Sequence, residues 1–306
     1  MRPTTIPQSS CGPPSRKPDW LKKRLPDPGT LRKMEVLLRD RQLHTVCESA
    51  LCPNLGECFA AGTATFLIMG DVCTRDCGFC GVMTGRPGPL DSYEPDNVAD
   101  AVNRLELRHA VVTSVTRDDL EDGGMAHYVA TIRAIRSRAP AATIEVLVPD
   151  FGGNMEYLGG VLAEAPEVLN HNVETVPRLY GSVRPQAVYE RSLAVLRQAV
   201  STGRSIVKTG WMVGLGETQE EVAYLLQQVA EARVDVVTIG QYLRPSASHL
   251  PVVEYVRPEV FASYKERGEA LGLHVYAAPF VRSSFHAGES LAHVKASAEE
   301  EDHHVS

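Results

Sequence analysis

Nowhere does the chain carry the roughly 18 or more consecutive apolar residues that would cross a bilayer as a helix. Its opening residues, MRPTTIPQSSCGPPS, lack the apolar central stretch of a secretory signal. No membrane role is therefore expected, and the reading is cytoplasmic, or organellar in a eukaryote because that start is free of acids. Positive charge is also in short supply: 31 Lys and Arg stand against 38 Asp and Glu, a net charge of -7. That balance argues against a nucleic-acid binder working by phosphate neutralisation. Cysteine is absent from most of the chain. Six of the 7 fall between Cys47 and Cys80, and Cys11 stands alone in a Pro-rich leader. Such clustering disfavours a dispersed disulfide framework and favours metal chemistry.

What is present is enough apolar character, 43%, for a full core in one large domain or two. Short runs rich in Val, Ile and Thr predict strands at 63–70, 109–115, 143–149, 167–174, 205–214 and 234–240. They are continuous rather than alternating, as for parallel strands covered on both faces. Helical periodicity predicts helices near 95–107, 123–138, 154–165, 185–202, 218–232 and 258–271. In YERSLAVLRQAV, Tyr189, Leu193, Leu196 and Val200 share one face. Six successive βα units imply an α/β fold, a parallel sheet curled into a full or partial barrel, with an open doubly wound sheet as the alternative. In both, functional residues gather where strands end, and the Cys73 to Cys80 loop follows the first strand.

Thiolates are soft ligands that select zinc or iron-sulfur clusters. CTRDCGFC places Cys73, Cys77 and Cys80 in eight residues, and CESALCPNLGEC places Cys47, Cys52 and Cys58 in twelve. Each triplet is one short of the four ligands of a structural zinc or an ordinary cluster. A cubane held by three cysteines leaves one iron open to a substrate, a cofactor or another residue. A zinc knuckle completed by His44 or another residue is the alternative. Between Arg16 and Arg41, nine basic residues oppose four acids, while the tail runs EEEDHH. The basic arm is either a docking surface or a solvated face.

The Cys-x-x-x-Cys-x-x-Cys triplet behind the first strand resembles the radical S-adenosylmethionine (SAM) superfamily. CESALCPNLGEC is similar to the auxiliary-cluster motif of lipoyl synthases. TSVTRDDLEDGG, NHNVETVPRLYGSVRP, YERSLAVL, MVGLGET, QYLRPS and PFVRSSFHAG extend that resemblance over nearly the whole chain. The resemblance implies a partial parallel (β/α)6 barrel with N- and C-terminal extensions. It divides the chain into a disordered leader (1–15), an extension with the auxiliary-cluster cysteines (16–62), the barrel (63–273), a segment with a cluster-ligating serine (274–290) and an acidic tail (291–306).

It further implies two 4Fe-4S clusters with SAM as co-substrate. Cys73, Cys77 and Cys80 would hold the SAM-binding cluster, and Cys47, Cys52 and Cys58 with Ser284 the auxiliary one, the sulfur source for carbons six and eight of a protein-bound octanoyl-lysine. Similarity to biotin synthases points to Asn172 and Glu174 as ribose ligands and Arg191 as partner of the methionyl carboxylate, pairings that charge and geometry favour. Arg282 would assist near the auxiliary cluster. Gly214 and Gly216 do not make the dinucleotide fingerprint, and His171 reads equally as a buried histidine. The implied partners are octanoylated lipoyl-carrier domains (2-oxoacid dehydrogenase E2 subunits and the glycine cleavage H protein), a reductant such as ferredoxin or flavodoxin, and a cluster-repair carrier. Acidic carrier domains would suit the basic arm.

Two features depart from the family pattern. Phe285 stands where Tyr is usual, removing a hydroxyl near the second cluster, and CGFCGVMTG lacks bulkier or charged residues after the cysteines. Alternative readings are another radical SAM sulfur inserter of biotin synthase type and a non-catalytic iron-sulfur or zinc protein.

Overall fold

A computed structural model describes residues 17–22, 43–45, 52, 54–284, 287–289, 291 and 294. The leader, most of the acidic tail and of the basic arm, and Cys11 and Cys47 lie outside the described residues.

Seven parallel strands form the main sheet: β2 (Thr63–Ile68), β5 (His109–Ser114), β6 (Thr143–Leu147), β7 (Val168–Asn170), β8 (Ile206–Val213), β9 (Val236–Gln241) and β10 (His274–Ala277). The two-residue β1 (His44–Thr45) adds an antiparallel edge on β2. The order follows the chain without reversal. Right-handed crossovers in a sheet that never reverses place every crossover helix on one face, which excludes the doubly wound alternative. All six expected strands are present, each one to five residues shorter than its apolar run, and β9 ends one residue beyond it. The seventh, β10, arises in the segment expected to follow the barrel.

The helices between them are α2 (Glu94–Arg104), α3 (Met125–Arg138), α4 (Met155–Ala163), α6 (Tyr189–Thr202), α7 (Gln219–Glu231) and α8 (Pro258–Glu269); short helices α1 (Leu55–Ala60) and α5 (Tyr180–Val183) lie outside that pattern. Local chemistry fixes their ends. Thr218 and Glu221 form a reciprocal capping box at the start of α7, and Gly203, at φ 59°, closes α6 in the left-handed conformation that glycine tolerates best. Val222, Leu225, Leu226 and Val229 turn one face of α7 into the core.

Every residue of β2 and β9 is buried, so both faces of these strands are covered. One floor of the inner face is polar. Lys208 on β8 reaches Glu145 on β6 at 3.2 and 3.3 Å, Asn170 on β7 donates to the same carboxylate at 3.0 Å, and His109 on β5 lies 3.5 Å away. Burial alone would raise the Glu145 carboxyl. The Lys208 charge and the bonds from His109 and Asn170 outweigh it and bring Glu145 to about 2.

Candidate active site

The loops that leave the carboxyl edge of the sheet carry Cys73, Cys77, Cys80, Asn172, Glu174 and Ser284, while Arg191 lies on α6 and Cys52 and Cys58 precede β2. The first of these loops starts where β2 ends. Met69 takes a left-handed φ of 68°, and its amide donates at 2.7 Å to Glu94 on α2, a carboxylate that His127 on α3 also meets at 2.6 Å. Beyond this turn β3 (Val72–Cys73) pairs in parallel with β4 (Met83–Thr84), and Gly85 N donates to Cys73 O at 2.9 Å. The chain between them therefore leaves and returns at one place. That closed loop carries Cys73, Cys77 and Cys80, all half-buried and unbridged.

Bonds from four neighbouring segments fasten the loop. Thr74 N donates to Thr116 O at 3.0 Å, Gly78 N to Val183 O at 3.0 Å, and Leu250 N to Gly78 O at 2.9 Å. Asp76 N donates to Gln186 Oε1 at 3.2 Å. His249 Nε2 donates to Cys80 O at 2.9 Å while its Nδ1 accepts from Ser246 at 2.8 Å. Arg75, between the first two cysteines, forms a bidentate pair with Asp118 at 2.8 Å on each arm and reaches Asp150 at 2.6 Å. The second oxygen of Asp150 takes Arg191 at 3.2 Å.

The thiols suit a metal that displaces their protons. Burial pushes Cys80 up to about 12 and raises Cys77, where the Arg184 charge works against part of the rise. Both remain neutral thiols until a ligated metal stabilises the thiolate. The amides of Arg75 and Thr116 point at Cys73 Sγ at 3.4 and 3.3 Å, donors of the kind that stabilise charge on sulfur.

Beyond β7, Asn172 Nδ2 donates to Glu174 Oε1 at 3.0 Å. Glu174 adopts φ 63°, a conformation unfavourable for a side-chain-bearing residue, and burial raises its carboxyl despite the Arg184 charge and the Asn172 bond. Arg184 Nη1 donates to Asn172 O at 3.1 Å and Val173 O at 3.2 Å. The buried Asn172 Oδ1 and Arg184 Nε have no hydrogen-bond partner among the described residues. Buried polar atoms are normally paired, so these two mark a place where a polar ligand would complete the bonding.

The second triplet is described in part: Cys52 and Cys58 are half-buried, and Cys47 lies outside the described residues. Asn54, between Cys52 and Cys58, donates to Phe280 O at 2.6 Å, which ties the N-terminal cysteine segment to the 279–284 segment. Burial lowers the Arg282 pKa and a Cys52 charge opposes that lowering, so the two side chains are electrostatic neighbours. Ser284 sits half-buried two residues further on.

A family model described as the radical SAM superfamily matches residues 67–229. The chain is 53% identical over 275 residues to a lipoyl synthase of Rubrobacter xylanophilus, covering 89% of this chain and 86% of that protein. It is 54% identical over 276 residues to a lipoyl synthase of Chlorobaculum tepidum, covering 90% and 95%. It belongs to the lipoyl synthase family. Among solved structures, the FeFe-hydrogenase maturase HydG from Carboxydothermus hydrogenoformans superposes with a TM-score of 0.53 at 13% identity, over 86% of this chain and 77% of that one. Methylornithine synthase (PylB) gives 0.52 at 12% identity, over 80% of each. Both likenesses concern the radical SAM fold alone.

Within that fold three groups at the lipoyl synthase site escape sequence reasoning. Arg75 sits inside the cysteine motif, but its partners Asp118 and Asp150 lie 43 and 75 residues away. Arg184 falls in a motif noted only as a match, and His249 lies three residues beyond QYLRPS, outside every motif singled out. Arg191 Nη1 donates to Asp150 Oδ2 at 3.2 Å. Gly214 serves packing, since a Cβ there would lie 2.2 Å from Gln241 Nε2 and 2.4 Å from Glu254 O. His171 is buried, donates from Nδ1 to Val148 O at 2.9 Å and is lowered to about 4, chiefly by burial.

Proposed function

We propose that this chain inserts two sulfur atoms at carbons six and eight of an octanoyl chain borne on a lysine of a lipoyl-carrier domain, forming the lipoyl cofactor. The observation that carries this reading is the pinned loop with three unbridged thiols, beside the unpartnered Asn172 Oδ1 and Arg184 Nε, in a chain of the lipoyl synthase family.

Membership of the radical SAM superfamily implies a 4Fe-4S cluster and SAM. The residues fit such a group: Cys73, Cys77 and Cys80 supply three soft ligands and leave a fourth position for SAM. Cys47, Cys52, Cys58 and Ser284 are assigned to an auxiliary 4Fe-4S cluster, where a hard serine oxygen on a soft site makes a releasable ligand. When bound, these groups supply a 5′-deoxyadenosyl radical that abstracts hydrogen from unactivated methylenes, and sulfide for the vacated carbons.

The chain's own residues bind, orient and neutralise. The neutral Cys77 and Cys80 thiols give up protons as metal loads. Arg75, held by Asp118 and Asp150, keeps the cysteine loop in place. Asn172 and Glu174 are assigned to the ribose hydroxyls. Arg191, assigned from sequence to the methionyl carboxylate, is the weaker of two candidates now that Arg184 stands beside the cysteines with an unpartnered Nε. The division into leader, N-terminal extension, barrel, serine-bearing segment and tail is retained, with β10 pairing to the barrel edge from within the fourth region.

The proposed partners are octanoylated carrier domains, an electron donor such as ferredoxin or flavodoxin, and a cluster-repair carrier. The test is mass spectrometry of an octanoyl-lysyl peptide incubated anaerobically with the iron-sulfur-reconstituted protein, SAM and a strong reductant. Two added sulfurs are expected; SAM cleavage with no sulfur added would overturn the reading.

A further inference from the structure

The segment after β10 is clamped between the barrel and the N-terminal cysteines, and the clamp is made of backbone. β10 pairs with β9 as far as Ala277 opposite Ile239. The pairing then runs on irregularly: Ala278 N donates to Ile239 O at 3.2 Å, and Gln241 N to Pro279 O at 3.3 Å. Between those two bonds stands Gly240. A Cβ on Gly240 would lie 2.0 Å from Val281 O, 3.1 Å from Val281 C and 3.1 Å from Arg282 Nη1. The first two are main-chain atoms, which cannot swing aside as a side chain would. Gly240 is not among the positive-φ glycines, so close approach of a second backbone is what requires glycine here.

The opposite side of the same segment is held by Asn54. This side chain is 1% exposed and donates to Phe280 O across 226 residues of sequence. Three consecutive residues, Phe280, Val281 and Arg282, are thus gripped from the barrel and from the stretch between Cys52 and Cys58.

Strand β9 also reaches the other cysteines. Its continuation, residues 242–250, supplies Leu250 N to Gly78 O and His249 Nε2 to Cys80 O, each at 2.9 Å. The Tyr242 hydroxyl donates to Leu250 O at 2.8 Å and closes this loop on itself. A Cβ on Gly78 would lie 2.9 Å from the Leu250 side chain, a second close approach on the same path. One strand with its following loop therefore touches the Cys73–Cys80 loop directly and reaches the stretch between Cys52 and Cys58 through residues 278–282.

We propose that β9 and residues 242–250 act as a spacer that, through residues 278–284, fixes Cys52 and Cys58 relative to the first cysteine triplet, with Gly240 and Asn54 as positioning residues for sulfur insertion and not for SAM cleavage. This rests on the sulfur-insertion reading given above. Transfer between two sites demands a fixed separation, and small displacements of a reacting group are costly because orientation supplies much of the rate. Enlarging Gly240 pushes 280–282 outward and moves Ser284 with it, while the Cys73–Cys80 loop keeps its own fastenings to Thr116, Val183 and Asp150.

The experiment compares wild type, Gly240→Ala and Asn54→Ala by two readouts. Hydrogen exchange in the cluster-free chain should speed up about tenfold at the amides of Phe280, Val281 and Arg282 and stay unchanged over 73–80, because the clamp opens locally. In the reconstituted enzyme, 5′-deoxyadenosine formation should stay within about twofold of wild type, while sulfur inserted per deoxyadenosine falls about tenfold or more. Asn54→Ala removes the side-chain bond to Phe280 O, outside the barrel core, and covers the case in which Gly240→Ala fails to fold. Unchanged exchange and an unchanged sulfur ratio, or SAM cleavage and insertion falling in parallel, overturns the spacer. A wild-type protein that cleaves SAM without inserting sulfur overturns the sulfur-insertion reading instead, and the exchange comparison still decides whether Gly240 and Asn54 position the segment.

Discussion

Arg75 Nη2 lies 2.6 Å from Asp150 Oδ1, joining the cysteine loop after β2 to the loop after β6. The Asp150 side chain is wholly buried and that of Arg75 is 7% exposed, so neither charge is met by bulk water. Burial would raise the Asp150 carboxyl, but the hydrogen bond and charge of Arg75 outweigh it and hold Asp150 at about 2, below its ordinary 3.8.

Removing Arg75 leaves the buried Asp150 charge with Arg191 alone, at 3.2 Å, and Asp118 without its bidentate partner. Arg75→Gln should destabilise the cluster-free chain by about 3 kcal/mol in urea titrations. It should also speed loss of iron from the Cys73 to Cys80 site to a chelator. Asp150 has a depressed folded pKa, so its stabilisation is present above its unfolded pKa and is lost as pH falls through the folded value. The difference between wild type and Asp150→Asn should therefore be full above about pH 5 and shrink as pH falls from about 4 towards about 2.

The polar floor of the barrel gives a second case with a different signature. Lys208→Met strands the fully buried Glu145 and should cost about 3–5 kcal/mol, whereas adding Glu145→Gln to it should recover most of that loss. A double-mutant cycle measures the coupling. Glu145 is likewise depressed, so its stabilisation weakens as pH falls from its ordinary 4.5 towards about 2.

How far the sequence reaches depends on the range of the interactions involved. Continuous Val- and Ile-rich runs make the six parallel strands legible, because two covered faces favour apolar residues at successive positions, the polar floor of His109, Glu145, Asn170 and Lys208 apart. β10 is not legible: four residues, HVYA, with only Val275 fully buried, become a strand because β9 offers them an edge. The same holds at the site. Three cysteines at fixed spacing announce themselves within eight residues. The Arg75 clamp, the seat at Gly240 and the grip of Asn54 on Phe280 each join residues dozens to hundreds of positions apart, and no local pattern records them.

Ser284→Ala separates the two cysteine triplets chemically. Ser284 is assigned as a ligand of the second cluster only, so the variant should still form 5′-deoxyadenosine from SAM while lipoyl formation fails. Product mass spectrometry with parallel quantitation of 5′-deoxyadenosine checks both halves. Full lipoyl formation would remove Ser284 from the ligand set.

Arg184 and Arg191 compete for one role, and their surroundings predict the outcome. Arg191 Nη1 is bonded to Asp150 at 3.2 Å, and its side chain packs over Gly153, where a Cβ would lie 3.3 Å from Nε. One of its donors is thus committed to a carboxylate that Arg75 also holds. Arg184 uses Nη1 on the carbonyls of Asn172 and Val173, sits 5.4 Å over the Tyr180 ring and keeps a buried Nε without a partner among the described residues. Its charge is felt at both Cys77 and Glu174, which places it between the cysteine loop and the residues assigned to ribose. A bond to a charged group contributes about 1.5–3 kcal/mol, so Arg184→Gln should weaken SAM binding by about 10- to 100-fold. Arg191→Gln should change SAM affinity by less than about threefold and act mainly on stability through Asp150. Equilibrium SAM binding to the reconstituted variants, set against their urea midpoints, distinguishes the two. A larger affinity loss for Arg191→Gln at equal stability would return the carboxylate role to Arg191.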